Sequence, residues 1–395
     1  MAAPAPSRWP LAATCTRGLE EVLRDELVRL GHPDAGCGRG VVTFAGTAAD
    51  VFRANLWLRT AMRVLRRLAE GPAGGRDELY ELAAAVEWEA IVAPSQTIAV
   101  EAAGKSEGFR NTAFAALVVK DACVDRLRRR RGHRPDVARE GADVVIHLHL
   151  AGREAGLALD ASGEPLSHRG YRPRGGPAPL AESLAAGILA LAGYDGSQPL
   201  LDPMCGTGTI PIEAALIATR TAPGLARRFA CERWHEADGR AFEAVRAQAR
   251  GMRRAAPAPI VAADADPRAV AAARRNAAAA GVADAIVFET RDARRLEPPG
   301  PGGLIVMNPP YGERLGEASE LEPLYAEVGD ALKRRAAGST AWILAGNREL
   351  AKAIGLRPSR RVVLWNGPIE CRLLRFDLYP GRGDASHLPG DRSAT

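Results

Sequence analysis

Nothing in the chain is long and apolar enough to cross a membrane: the longest hydrophobic stretches, such as residues 184–193, fall well short of the ~18 residues a span requires. A secretion signal is also missing. The first ten residues are broken by prolines, and only a short apolar patch at 10–15 follows, so a cytoplasmic protein with no membrane partner is expected. Cysteine is scarce, six in 395 residues (15, 37, 123, 205, 231 and 371), with no C-x-x-C pair; this argues against a zinc ribbon, and a disulfide framework makes little sense at this size. The seven histidines form no H-E-x-x-H, and His147 and His149 read as two same-face residues of one strand, so no metal is expected. At 47% hydrophobic and 25% charged the composition is that of a globular protein of two or three domains, which excludes disorder, collagen and coiled coil.

Charge is more informative by position than in total. The net charge is only +6, yet residues 104–139 hold ten basic and four acidic side chains between net-acidic flanks. Segregation of this kind points to a surface facing a polyanion.

The hydrophobic periodicity changes scale along the chain. Through residue 160 short units alternate: helices at 16–30, 48–58, 77–86 and 111–130, strands at 40–44, 62–68, 97–102 and 143–150. That mixture suits small α+β layers. Residues 162–179, rich in Gly, Pro and Arg (169, 172, 174), read as a linker. Beyond it a βαβ rhythm appears, with helices at 180–192 and 210–220 and strands at 199–201, 260–263, 285–289, 304–307 and 341–345, as in a doubly wound parallel sheet. The chain closes with two strand-like runs, 361–365 and 369–379, about an Asn366-Gly367 turn. A parallel sheet ending in an antiparallel hairpin separates class I methyltransferases from dinucleotide dehydrogenases. Residues 381–395 read as a disordered tail.

The run LLDPMCGTGT (200–209) places an acid at a strand end and a glycine turn before a helix. Glycines here let the backbone approach a ligand and adopt positive φ. The lysine of a phosphate-binding loop is missing, which disfavours nucleotide hydrolysis, and so is the third glycine of the dinucleotide fingerprint. Four successive strand ends carry Asp202, Asp264, Asp292 and Asn308 on one sheet edge. A carboxylate at 264 suits the two hydroxyls of an adenosine ribose, and one at 292 an adenine amine. The set of Asp202, Gly206, Gly208, Asp264, Asp292 and Asn308 points to S-adenosylmethionine as cofactor.

Asn308-Pro309-Pro310-Tyr311 suits a methyl acceptor that is an exocyclic amine of a base, a poor nucleophile because its lone pair is delocalised into the ring. The Asn308 side-chain oxygen and the Pro309 carbonyl can each accept one N–H, turning the nitrogen toward the donor, a gain chiefly of orientation. The prolines stiffen the turn. Tyr311 offers a face for an unstacked base, worth about 1–3 kcal/mol, against the few kcal/mol that unstacking costs. Asn308, Pro309 and Tyr311 are thus the candidate catalytic residues.

With these motifs in place, the sequence resembles the THUMP-domain RNA guanine-N2 methyltransferases of the large-subunit rRNA methyltransferase L type. The resemblance runs from about residue 9 to 379. It rests on KSEGFRNT (105–112), VKDACVDRLR (119–128), LDASGEPLSHRGYR (159–172), APLAESLAA (178–186), LDPMCGTGTIPIEAA (201–215), PGLARRFACERW (223–234), DADPRAV (264–270) and MNPPYGERLG (307–316). It implies an α+β N-terminal region, a ferredoxin-like segment (1–45) with a THUMP RNA-binding domain (46–161). A linker (162–179) and an α/β Rossmann-like class I methyltransferase domain (180–380) with its C-terminal antiparallel hairpin would follow. It also implies Pro203, Cys205, Ala265 and Ala293 beside the other cofactor-binding residues, and methylation of guanosine N2, most often in 23S rRNA, with tRNA as the alternative. RNA contact is expected from Lys105, Arg110, Lys120, Arg126, Arg128, Arg129, Arg130, Arg131 and Arg134, and Arg169, Arg172 and Arg174 are open to either RNA or ion pairing between domains. Two departures stand out: there is no room for the second methyltransferase some relatives carry, and Ala262-Ala263 precede Asp264 where bulkier residues are expected. A DNA or protein amine as acceptor, and an inactive RNA-binding assembly factor, remain competing readings.

Overall fold

The computed structural model describes residues 8–138, 140–173, 180–300, 302–312 and 317–379. Arg139, Arg174, the ERLG of the 307–316 motif and the expected tail lie outside them. By packing, the chain forms two compact units, Met1–Arg169 with Ala222–Met252, and Gly170–Thr221 with Arg253–Thr395.

The first unit holds a seven-stranded sheet of β1 (Trp9–Cys15), β2 (Gly36–Gly38), β3 (Val41–Gly46), β4 (Ala61–Pro72), β5 (Ile98–Ser106), β6 (Val144–Gly152) and β7 (Glu154–Asp160). Their order is β2-β3-β1-β4-β7-β6-β5, antiparallel except for the β5–β6 pair. β1 and β7 were not legible as strands. Each carries contiguous buried residues (Leu11 to Ala13, Leu157 to Asp160), so both of its faces are covered there and the alternation that betrays a half-buried strand is missing. β6 does alternate: Val144, Ile146, Leu148 and Leu150 face the core, with His147 and His149 on the other side.

Helix Thr112–Arg131 starts at Asn111, whose side chain accepts from the Ala113 N–H (2.8 Å), and ends at Gly132 in the left-handed region (φ 77°). Its four terminal arginines suit the negative end of the helix dipole. Two arginines of this helix, Arg126 and the terminal Arg131, are not free for a partner. Arg126 makes a bidentate pair with Glu89 (2.8 Å twice) and donates to the Ala84 and Ala85 carbonyls, and Arg131 donates to the Val92 (2.6 Å) and Glu89 carbonyls.

Residues 162–169, read as the start of a linker, are built into this unit. The Ser162 hydroxyl donates to Asn55 Oδ1 (2.5 Å), Arg63 pairs with Asp160, and Arg169, 3% exposed, donates to the Leu166 and Arg59 carbonyls. Arg169 is therefore not offered to RNA. Residues 222–252 fall inside the 180–380 stretch read as one domain, yet they pack here. Phe242 stacks on Phe52 (centroids 4.5 Å apart, planes 8°), Phe229 meets Phe52 edge-on, Trp234 lies against Trp9, and Glu236 pairs with Arg66 (2.6 Å).

The second unit is a seven-stranded sheet of β8 (Leu200–Asp202), β9 (Ile260–Asp264), β10 (Val287–Thr290), β11 (Leu304–Met307), β12 (Thr340–Ala345), β13 (Arg360–Asn366) and β14 (Ile369–Asp377). Their order is β10-β9-β8-β11-β12-β14-β13. The first five are parallel, and β14 runs antiparallel to both of its neighbours, giving the expected hairpin. The turn itself differs from expectation. Asn366 pairs with Ile369, so the two loop residues are Gly367 (φ 61°) and Pro368, and Asn366 is the last residue of the strand.

Candidate functional site

Because β10, β9, β8 and β11 are adjacent and parallel, their carboxyl ends bring Asp264, Asp202 and Asn308 to one edge, with Asp292 just beyond β10. The chain reverses its direction of strand addition between β8 and β11, the position where open α/β sheets form a ligand crevice.

Asp202 is 1% exposed and accepts one backbone N–H, from Met204 (3.1 Å). Burial, together with the neighbouring Asp264 charge, pushes its carboxyl well above the ordinary range. Asp264 ties the edge together: one oxygen accepts from the Gly206 N–H (2.9 Å) and the other from the Asp266 N–H (3.0 Å). The two glycines of the turn do different things. Gly206 (φ 53°) has open space where a side chain would begin, as a residue facing a ligand should. A Cβ on Gly208 (φ 89°) would lie 2.9 Å from that of Ala273, so this glycine lets helix Pro267–Ala279 close on the turn. Asn276 of that helix donates to the Thr207 carbonyl (2.9 Å).

Pro203 and Cys205 are buried in the turn, Ala265 is exposed after β9, and Ala293 is buried. Burial raises the Cys205 thiol far above its ordinary value, so it is no nucleophile. Asp292 caps the turn after β10 through the Arg294 N–H and pairs with the Arg294 guanidinium, which holds its carboxyl below the usual range. An adenine amine would share that carboxylate with Arg294.

At the β11 end the Tyr311 hydroxyl donates to Asn308 Oδ1 at 2.5 Å, and the Tyr325 hydroxyl donates to the Pro310 carbonyl (2.9 Å). The Tyr311 ring lies over Gly346, which directly follows β12. Pro309 is buried and Asn308 half-buried.

The residue reading missed Arg172 as part of this unit. It pairs with buried Glu182 (2.6 and 3.0 Å), donates to Thr209 Oγ1 (3.3 Å) and to the Leu180 carbonyl, and so pins the helix that follows the glycine turn. Its signal was present in the RGYR and APLAESLAA motifs, but as a resemblance without a role. Arg172 is thus neither open to RNA nor in an ion pair between domains. Of the basic residues expected at RNA, Lys105, Arg110, Arg128, Arg129, Arg130 and Arg134 are exposed, and Lys120 pairs with Asp121 (2.6 Å).

Family models match three stretches: an RlmL ferredoxin-like domain at residues 10–65, a THUMP domain at 76–160, and an RMKL-like methyltransferase domain at 169–375. The chain is 42% identical over 389 residues to the ribosomal RNA large subunit methyltransferase K/L of Allochromatium vinosum, a match covering 95% of this chain and 52% of that one. The chain thus spans about half the length of the K/L proteins it matches. Its fold is similar to SMU.472, a methyltransferase candidate crystallised with SAH (TM-score 0.87, 30% identity, 95% of this chain and 99% of that one). It is equally similar to a Listeria monocytogenes protein described as a predicted N6-adenine-specific DNA methylase (TM-score 0.87, 31% identity, 94% and 97%).

Proposed function

This chain belongs to the RMKL-like methyltransferase family, and from that premise we propose that it is an S-adenosylmethionine-dependent RNA methyltransferase forming N2-methylguanosine, with large-subunit ribosomal RNA as substrate. The observation that carries the reading is the shared edge: a glycine turn, Asp202 and Asp264 stand beside Asn308-Pro309-Pro310-Tyr311 on adjacent strands. SAH in the SMU.472 crystal supports the cofactor, and the THUMP match, the exposed arginines and the K/L relatives support RNA.

The residues present fit S-adenosylmethionine. Asp202, fully buried with a single backbone donor, and the neighbouring Asp264 leave carboxyl oxygens that a ligand's donors can satisfy, and Gly206 leaves room for it. When bound, the cofactor supplies an electrophilic methyl group on a sulfonium. The chain's own part is placement. Asp202 and Asp264 would hold the cofactor's polar groups, and Asn308 Oδ1 and the Pro309 carbonyl would each accept an N–H of the target amine, which orients its lone pair for transfer. Tyr311 supports the base. No strong base is required, since the amine becomes acidic once methylated. All six cysteines are free thiols, which agrees with a cytoplasmic site of action, and among the described residues no helix is long and apolar enough to cross a membrane.

The test is tritium transfer from labelled S-adenosylmethionine to deproteinised 23S rRNA, 16S rRNA, bulk tRNA and DNA from a strain lacking the gene, followed by nucleoside digestion. Label in N2-methylguanosine from 23S rRNA is expected. The same nucleoside from tRNA alone would keep the chemistry and move the substrate, and label in N6-methyladenine of DNA would overturn the reading.

A further inference from the structure

Gly346 is a glycine that its own backbone does not call for. Its φ lies outside the left-handed region, so any L residue can adopt its conformation. What excludes a side chain is Tyr311. A Cβ at 346 would sit 2.6 Å from both Cγ and Cδ2 of that ring and 3.1 Å from Cδ1. Those atoms are the root of the side chain rather than its flexible end, so the ring cannot yield by a small rotation of its tip. Gly346 follows β12, the neighbour of β11, whose end carries Asn308. The ring that rests on Gly346 delivers its hydroxyl to Asn308 Oδ1 at 2.5 Å.

That hydrogen bond has a chemical consequence. An asparagine amide presents an oxygen that accepts or an NH2 that donates, and the two are exchanged by a half-turn of the side chain. An exocyclic amine offers N–H groups and needs the oxygen. The Tyr311 hydroxyl, kept protonated because burial pushes its pKa up, takes a hydrogen bond from the Asn366 side chain on its own oxygen and donates its proton to Asn308, which makes Oδ1 the acceptor. The second lone pair of that oxygen remains for the substrate N–H.

We infer that Gly346 is a positioning residue for methyl transfer: its bare backbone seats the Tyr311 ring so that the Tyr311 hydroxyl locks the Asn308 amide with its oxygen toward the target amine. The inference rests on the proposed function for its consequence and on the structure alone for the seat.

The two parts are tested separately. In protein labelled with 3-fluorotyrosine, the fluorine resonance missing from Tyr311→Phe belongs to Tyr311. It shifts in Gly346→Ala, and an unmoved resonance overturns the seat whether or not any RNA is methylated. In single-turnover methyl transfer at saturating cofactor, Gly346→Ala is expected to lower the rate at least 10-fold with cofactor Kd unchanged within 2-fold. The same substitution made in Tyr311→Ala is expected to cost less than 2-fold. An equal loss in both backgrounds shows that Gly346 acts by some other route and overturns the positioning role. Tyr311→Phe, which keeps the ring, should lose about 10-fold, and full activity there overturns the hydroxyl lock even if Gly346→Ala fails to fold. Wild-type rates in Asn308→Ala would instead overturn the proposed pocket, an outcome the fluorine measurement does not share.

Discussion

Asp202 is costly to the empty protein. A carboxyl with one backbone donor, buried beside a second carboxylate, has its folded-state pKa raised above the unfolded value, so it favours folding only where it is protonated in both states. As pH rises above the ordinary 3.8, the unfolded chain ionises first and stability is lost until pH passes the folded value. Asp202→Asn should therefore stabilise the cofactor-free protein at pH 7 by about 1 kcal/mol, ~2–4 °C in Tm for a unit of this size. That gain should vanish near pH 4. The same substitution should weaken cofactor binding. Melting curves at the two pH values, with and without cofactor, check both signs. No gain at pH 7 would mean that the carboxyl is better solvated than its surroundings indicate.

At the scale of elements, helix Gly239–Gly251 is read from the sequence as part of the methyltransferase domain, and the family match at 169–375 also spans it. Its apolar face, Phe242, Val245 and Ala249, belongs to the core of the first unit, against Phe52 of helix Ala48–Trp57. Truncating a buried aromatic costs about 3–5 kcal/mol. Phe242→Ala should thus raise amide hydrogen exchange in β3 and helix Ala48–Trp57, 190 residues away in sequence, and leave β8 to β12 of the second unit unchanged. Faster exchange in β8 or β9 instead would contradict the packing. Gly224 makes the same attachment by close approach: its N–H donates to the Leu56 carbonyl (3.0 Å), and a Cβ would meet the Asn55 carbonyl at 2.9 Å.

At the scale of the molecule, the chain passes between its two units three times, at residues 169–170, 221–222 and 252–253, so neither unit is a continuous stretch of sequence. Charge also acts at this scale. With Arg126 and Arg131 committed to the protein, the proposed RNA patch comprises Lys105, Arg110, Arg128, Arg129, Arg130 and Arg134. For single-stranded RNA each phosphate contact contributes a slope of about −0.7 to log K against log salt. Arg110→Gln and Arg129→Gln should each reduce the slope by about that amount, whereas Arg126→Gln should lower Tm. A wild-type slope near zero would remove the patch from the RNA-binding surface.

Periodicity, turn residues and strand-end acids are local signals, and they were enough to read the second unit almost element by element. A parallel sheet buried on both faces writes short apolar runs such as Leu304–Met307, each ending in a polar residue that the strand direction carries to the same edge. That Asp202, Asp264 and Asn308, the proposed site residues, share one edge was therefore legible in sequence. β1 and β7 were not, because both faces are covered along Leu11–Ala13 and Leu157–Asp160 and the alternation is lost there. The sequence by itself determined the sheet, its edge and the chemistry that edge can hold. Only the tertiary structure decided which arginines face inward, why position 346 is glycine, and which unit claims residues 222–252. Each of these depends on a partner distant in the chain, and no local pattern encodes that contact.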